Sequence, residues 1–121
     1  MIVAGFGFRG AATKASLQAA FQATGVADVD ALATPEDKAQ AQAFRALAKE
    51  LALPVITIAA TALENAETLT RSEVSQTHRG TGSVAEACAL AAAGPQAELV
   101  THRMVSPDRM ATCAIAKGHG R

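Results

Sequence analysis

The stretch Gly5-Phe6-Gly7-Phe8-Arg9-Gly10 constrains the fold of this chain more than any other. It follows the apolar run Ile2-Val3-Ala4 and precedes Ala11-Ala12-Thr13-Lys14-Ala15-Ser16-Leu17, so it reads as a glycine-rich turn from a buried first strand into a first helix. Glycine admits positive φ and lets another group approach the backbone closely. The helix start behind it offers unpaired N–H groups and a partial positive charge, which suits an anion. The spacing Gly5-x-Gly7-x-x-Gly10 also satisfies a dinucleotide-binding fingerprint literally, which leaves a nucleotide-binding module as one reading. That fingerprint further requires an acidic residue ending the second strand ~20 residues on, and Asp28 and Asp30 fall where that strand should begin. A purely structural tight turn competes with both ligand readings.

The 121 residues are enough for one domain with a real core and too few for a two-domain enzyme. Alanine is the commonest residue and the only aromatics are four phenylalanines, so helices are expected to pack closely on small side chains. Lys plus Arg and Asp plus Glu both number 11, which argues against a general nucleic-acid surface but leaves room for a local anion site. Cys88 and Cys113 are too far apart for a CxxC motif and read as buried thiols. His78, His102 and His119 share no ligand spacing, so neither a metal nor a cofactor is expected. No leader-like segment opens the chain and no apolar run reaches the ~20 residues that span a bilayer, so a cytoplasmic protein without membrane contact is expected.

Apolar periodicity predicts a first helix over 13–23, with Leu17, Ala20 and Phe21 on one face and Gly25 just past its end. A short second strand follows at 29–33. Thr34-Pro35-Glu36-Asp37 then reads as the N-cap, proline and acidic first turn of a second helix bearing Phe44, Leu47, Ala48 and Leu51. Pro54 stops that helix, and Val55-Ile56-Thr57-Ile58 is a third strand. Thr61-Ala62-Leu63-Glu64 has capping-box spacing for a short further helix, and residues 65–82 lose periodicity and form a candidate functional loop. Ser83-Val84-Ala85-Glu86 is a second capping box, opening an alanine-rich helix through Ala93 that Gly94-Pro95 ends. Strands over 98–101 and 110–116, joined by the turn Ser106-Pro107-Asp108-Arg109, close the sheet, the last able to pair antiparallel; 117–121 is a flexible tail. This order predicts a single three-layer α/β/α domain, residues 1–121, with a mostly parallel or mixed sheet.

Ligands of open α/β sheets sit beyond the carboxyl ends of the strands. There the Gly5–Gly10 turn, the segment after Ile58 and the start of the Ser83 helix should converge. Arg9 is the sharpest candidate, since a guanidinium beside free backbone amides can clamp a carboxylate bidentately, although a solvated arginine explains it too. The basic, glycine-bearing run Thr77-His78-Arg79-Gly80-Thr81-Gly82-Ser83 is the second concentration, with Arg79, Thr81, Gly82 and Ser83 suited to an anion. His78 could work as an acid or base. Glu86 is either the N3 partner of its capping box or a catalytic carboxylate. No Gly-x-Ser-x-Gly elbow supports a serine nucleophile.

Three segments together, Val3-Ala4-Gly5-Phe6-Gly7-Phe8-Arg9-Gly10, Gly80-Thr81-Gly82-Ser83-Val84-Ala85-Glu86-Ala87 and Ala111-Thr112-Cys113-Ala114-Ile115-Ala116, resemble the CobE/CbiG C-terminal domain family of cobalamin biosynthesis. The resemblance covers nearly the whole chain, and its length is similar to the stand-alone form of the domain rather than the fused one. It implies a role in building the corrin ring of vitamin B12. The partner it implies is a precorrin or hydrogenobyrinic-type tetrapyrrole, together with other enzymes of the pathway. Such macrocycles are edged with carboxylates, which fits arginine-bearing loops at helix starts, with Phe6 or Phe8 lying against the ring. On this resemblance the protein is a carrier or accessory of the intermediate; the alternative is a small enzyme that opens a lactone or rearranges the ring, using Glu86 or His78.

Overall fold

The computed structural model describes residues 1–59, 81–94 and 97–118. Five strands form one sheet: β1 (Ile2–Phe8), β2 (Ala31–Pro35), β3 (Val55–Ile58), β4 (Glu98–Val105) and β5 (Ala111–Lys117), in the order β3-β2-β1-β5-β4. β1, β2 and β3 pair in parallel, while β5 runs antiparallel to both β1 and β4. β4 therefore points the same way as β1, and β5 alone is reversed. The expected three-layer α/β/α domain is present, with a mixed sheet.

Helices α1 (Lys14–Ala23) and α2 (Gln42–Leu51) cover one face, and α3 (Thr81–Ala93) covers the other. The period of two along β1 decides which residues meet which layer. Ala4 and Phe6 point into a cluster with Leu17, Phe21, Leu32, Phe44, Leu47 and Ile115. All four phenylalanines gather there: Phe6 lies 6.4 Å from Phe21 and 5.7 Å from Phe44, and Phe8 stacks on Phe44 at 5.9 Å. Val3 points the other way, into a smaller cluster with Ala33, Ile58 and Cys88.

Gly5 and Gly7 share that second face, and here the structure corrects the sequence reading. Gly5, Phe6, Gly7 and Phe8 are residues of β1, not of a turn. A Cβ on Gly5 would stand 2.3 Å from Ala85 O and 2.5 Å from Ala89 N, so the glycine exists to let the backbone of α3 lie against the strand. Gly7 faces Val84 and the Thr112 hydroxyl at 3.2–3.4 Å. The glycines serve helix packing, with small residues on both surfaces.

Local caps follow the sequence in part. Thr13 and Ser16 form a reciprocal capping box at the start of α1, and Gly25 ends it with φ +76°. Thr34 and Pro35 belong to β2 instead of opening α2, because the Thr34 hydroxyl donates to Phe6 O in the buried sheet and Pro35 pairs with Ile58. A 3-10 turn, Glu36–Lys38, intervenes, and α2 starts only at Gln42. The second strand accordingly spans Ala31–Pro35 and not 29–33. α3 ends as expected at Ala93, with Gly94 at φ +106°. The capping box at Thr61–Glu64, nearly all of the 65–82 loop and the end of the tail lie outside the described residues.

Candidate functional site

Strand order turns at β1: the chain builds β2 and β3 to one side, then crosses by α3 to place β4 and β5 on the other. The helices flanking β1 lie on opposite faces, which leaves a crevice at its carboxyl end. Phe8, Arg9 and Gly10 occupy that end. α1 starts there, and so does α3, because Val84 meets Gly7 whereas Ala93 at the other end of the helix meets Gly118. The β4–β5 turn arrives at the same edge, with the Arg9 N–H donating to Met110 O at 2.9 Å.

An open depression of about 770 Å³ lies on the α1/α2 side of this edge, lined by Phe8, Gly10, Lys14, Asp37, Lys38 and Gln42 among others. Phe8 is half-buried, its ring parallel to Phe44 within 12°, and the Lys38 ammonium stands over it 5.3 Å from the centroid. Lys14 is held by Glu50, whose carboxyl is kept below its ordinary range by that hydrogen bond and charge. Among the described residues, Lys38, Arg9 and Arg109 have no carboxylate partner.

The β4–β5 turn is rigidly clasped. Asp108 accepts the hydroxyls of Ser106 and Ser16, both at 2.6 Å, and the Met110 N–H at 3.1 Å. These bonds hold its carboxyl below the usual carboxylate range, the Ser106 hydroxyl contributing most. Ser16 and Ser106 are almost fully buried, so the clasp joins the first turn of α1 to the hairpin. Arg109, at the next position, takes φ +62°, a left-handed conformation for a side chain that rarely adopts one.

The sequence-predicted site residues divide. Phe8, Arg9 and Gly10 come together at the strand end. Phe6 is fully buried beneath it and cannot lie against a ligand, and Gly5 and Gly7 are covered by α3. Thr81, Gly82 and Ser83 form the first turn of α3, so Ser83 is inside the helix and not its N-cap. Glu86 is consequently not the N3 residue of a capping box. Its carboxylate accepts the Arg103 N–H of β4 at 3.0 Å, with His102 Nδ1 at 3.8 Å, where a register shift between Thr101 and Met104 interrupts the ladder. That anchors Glu86 against the edge strand, two strands from β1. His78 and Arg79 lie outside the described residues.

The dinucleotide reading loses its turn, and one of its two acidic candidates is engaged elsewhere. Asp30 accepts the Ile2 N–H at 2.7 Å, at the amino end of β1, the sheet edge opposite Gly10. Sequence reasoning missed Lys38, whose only local signal was the proline-led acidic turn before it. It also missed the Asp108 clasp, for which Thr13-x-x-Ser16 and Ser106-x-Asp108 were the available signs.

Comparison with known proteins adds the biological setting. The family described as cobalamin synthesis G C-terminus matches residues 2–116. The chain belongs to that family. The crystal structure of the cobalamin biosynthesis protein chiG from Agrobacterium tumefaciens str. C58 is similar over 99% of this chain and 100% of that one, with 43% identity and a TM-score of 0.74. The crystal structure of CobE, a protein from the cobalamin (vitamin B12) biosynthetic pathway, is similar over 100% of this chain and 92% of that one, with 30% identity and a TM-score of 0.79. No curated protein sequence matches the chain. The protein is thus a cobalamin-biosynthesis domain of the cobalamin synthesis G C-terminus family. Among the described residues of this family member, no helix is long and apolar enough to cross a membrane, and no group of three or more His, Cys, Asp or Glu could hold a metal ion.

Proposed function

We propose that the protein binds a precorrin-type intermediate at the carboxyl end of β1 and carries it, in the cytoplasm, to other enzymes of the cobalamin pathway. The observation that carries this reading is the half-buried Phe8 ring, braced from beneath by Phe44, with the Lys38 ammonium over it and the depression before it, and with Arg9 next in the chain. A bulky macrocycle of this kind has an apolar face to rest on a ring, and its acetate and propionate edges call for cations. Helix starts at the same edge add partial positive charge. A carrier needs no general acid or base, and the engagement of Glu86 with the backbone of β4 accords with that.

The test is titration of the purified protein with precorrin and hydrogenobyrinic-type pigments, followed by visible absorbance and mass spectrometry. A saturable spectral shift with unchanged pigment mass is expected. Pigment converted to a new mass would instead establish a small enzyme, and absence of any shift would sink the binding reading. Replacing Arg9 with Ala should weaken pigment binding by about 3- to 10-fold, the scale of one charge-assisted contact, without altering the melting temperature.

A further inference from the structure

The Phe8 ring is already occupied in the free protein. Phe44 is fully buried and takes one side of it, while Phe8 and Lys38 both line the depression and Phe44 does not. The ring face open to solvent is therefore the one beneath the lysine. A cation over an aromatic ring at a half-exposed position changes an equilibrium by only about 2- to 5-fold, enough to hold Lys38 there and too little to resist a large macrocycle. Among the described residues no carboxylate of this chain is ion-paired with Lys38. Once displaced, its ammonium is free to pair with an acid on the incoming ligand.

Building on the binding reading above, we propose that Lys38 is a displaceable cap that makes the site selective for charge: it leaves Phe8 when a macrocycle arrives and pairs with a peripheral carboxylate, so rings edged with free acids bind better than rings whose side chains are amides. An amidated ring must displace the lysine and gains no ion pair in return. Side-chain amidation is then the class of reaction that turns a held ligand into a weakly held one and releases it.

Two pigments and two variants test this: cobyrinic acid, edged with free carboxylates, and cobyric acid, its largely amidated counterpart, titrated into wild type, Lys38→Ala and Lys38→Arg. Wild type should prefer the acid. Lys38→Ala should bind the amidated pigment about 2- to 5-fold more tightly than wild type, because nothing has to be displaced. For the acid the same gain is offset by the lost ion pair, so its affinity should stay nearly constant and the preference should shrink. Lys38→Arg should keep the preference, and raising the salt concentration should reduce it in wild type. If both pigments bind but Lys38→Ala leaves their ratio unchanged, the cap is refuted while the binding site stands. If neither pigment binds wild type, the binding reading fails and the cap with it.

Discussion

Replacing Gly5 with Ala separates the packing role of the opening glycines from a ligand-turn role. The added Cβ would meet Ala85 O at 2.3 Å, Ala89 N at 2.5 Å and Ala89 Cβ at 2.9 Å. Two of these are helix backbone, which cannot rotate away as a side-chain tip could. Relief requires α3 to lift off β1 along its length, and overpacking of this kind costs typically about 1–3 kcal/mol, here toward the upper end. Gly5 does not use positive φ, so Ala also gains about 0.4–1 kcal/mol by restricting the unfolded chain. The net expectation is a loss of about 1.5–2.5 kcal/mol, a large share of the stability of a domain this size. In urea unfolding followed by circular dichroism the midpoint should fall by about 1–2 M at unchanged slope. Gly7→Ala meets its nearest neighbours, the Val84 side chain and the Thr112 hydroxyl, at 3.2–3.4 Å and should stay within about 1 kcal/mol of wild type. Gly10→Ala meets nothing within 4 Å and should be neutral or slightly stabilising. A Gly5→Ala midpoint within about 0.3 M of wild type would refute the packing argument.

Acid should unclasp the β4–β5 turn. Asp108 has a folded-state pKa below its ordinary 3.8, so the stability it contributes is present above that value and is lost as pH falls through the lower folded value. Unfolding midpoints measured from pH 6 down to pH 2 should decline, and Asp108→Asn should remove part of that decline; an identical acid profile in the variant would exclude the clasp. Phe44→Ala should cost about 3–5 kcal/mol, since it removes the support of both Phe6 and Phe8, and urea melts would show it. Burial pushes the Cys113 thiol far above its ordinary range, so alkylating reagents at pH 8 should leave it unmodified until the protein is unfolded, as read by mass spectrometry. Glu86→Gln, which keeps an oxygen to accept the Arg103 N–H, should preserve the melting temperature and pigment binding, and a clear fall in melting temperature would overturn the anchoring role.

Legibility in the sequence followed the range of the interaction. Features set by neighbours along the chain were readable: the apolar face of α2, the stop at Gly25, the end of α3 at Gly94 and the hairpin turn. The end of β1 was not, because a glycine needed for positive φ and one needed for close approach look alike locally. Only Ala85 and Ala89, far along the chain, decide between them. Pro35 shows the same limit: proline after threonine and before acids fits a helix start, yet pairing with β3 fixes it as a strand end. Glu86 matched a capping box by spacing, but the helix starts at Thr81 and its carboxylate is claimed by a ladder irregularity in β4. In the candidate site, Arg9 was legible because it adjoins the conspicuous glycines. Lys38 was not, since its meaning comes from Phe8 on another strand.

The placement of charge at one edge follows from the topology. Because β1, β2 and β3 are parallel and each is left by a connection at its carboxyl end, α1 and α2 must both begin there, and the contacts of Val84 and Ala93 place the start of α3 there too. Three helix starts make that edge electropositive before any side chain is counted. Arg9 extends from β1, Lys38 from the turn after β2, and Arg109 from a hairpin that Asp108 ties to α1, so the cations come from three separate connections on a scaffold held by the sheet. A free anion would be attracted by any one of them. Only a ligand broad enough to reach several at once uses the arrangement as a whole, and the carboxylate-edged macrocycle proposed above would be such a ligand.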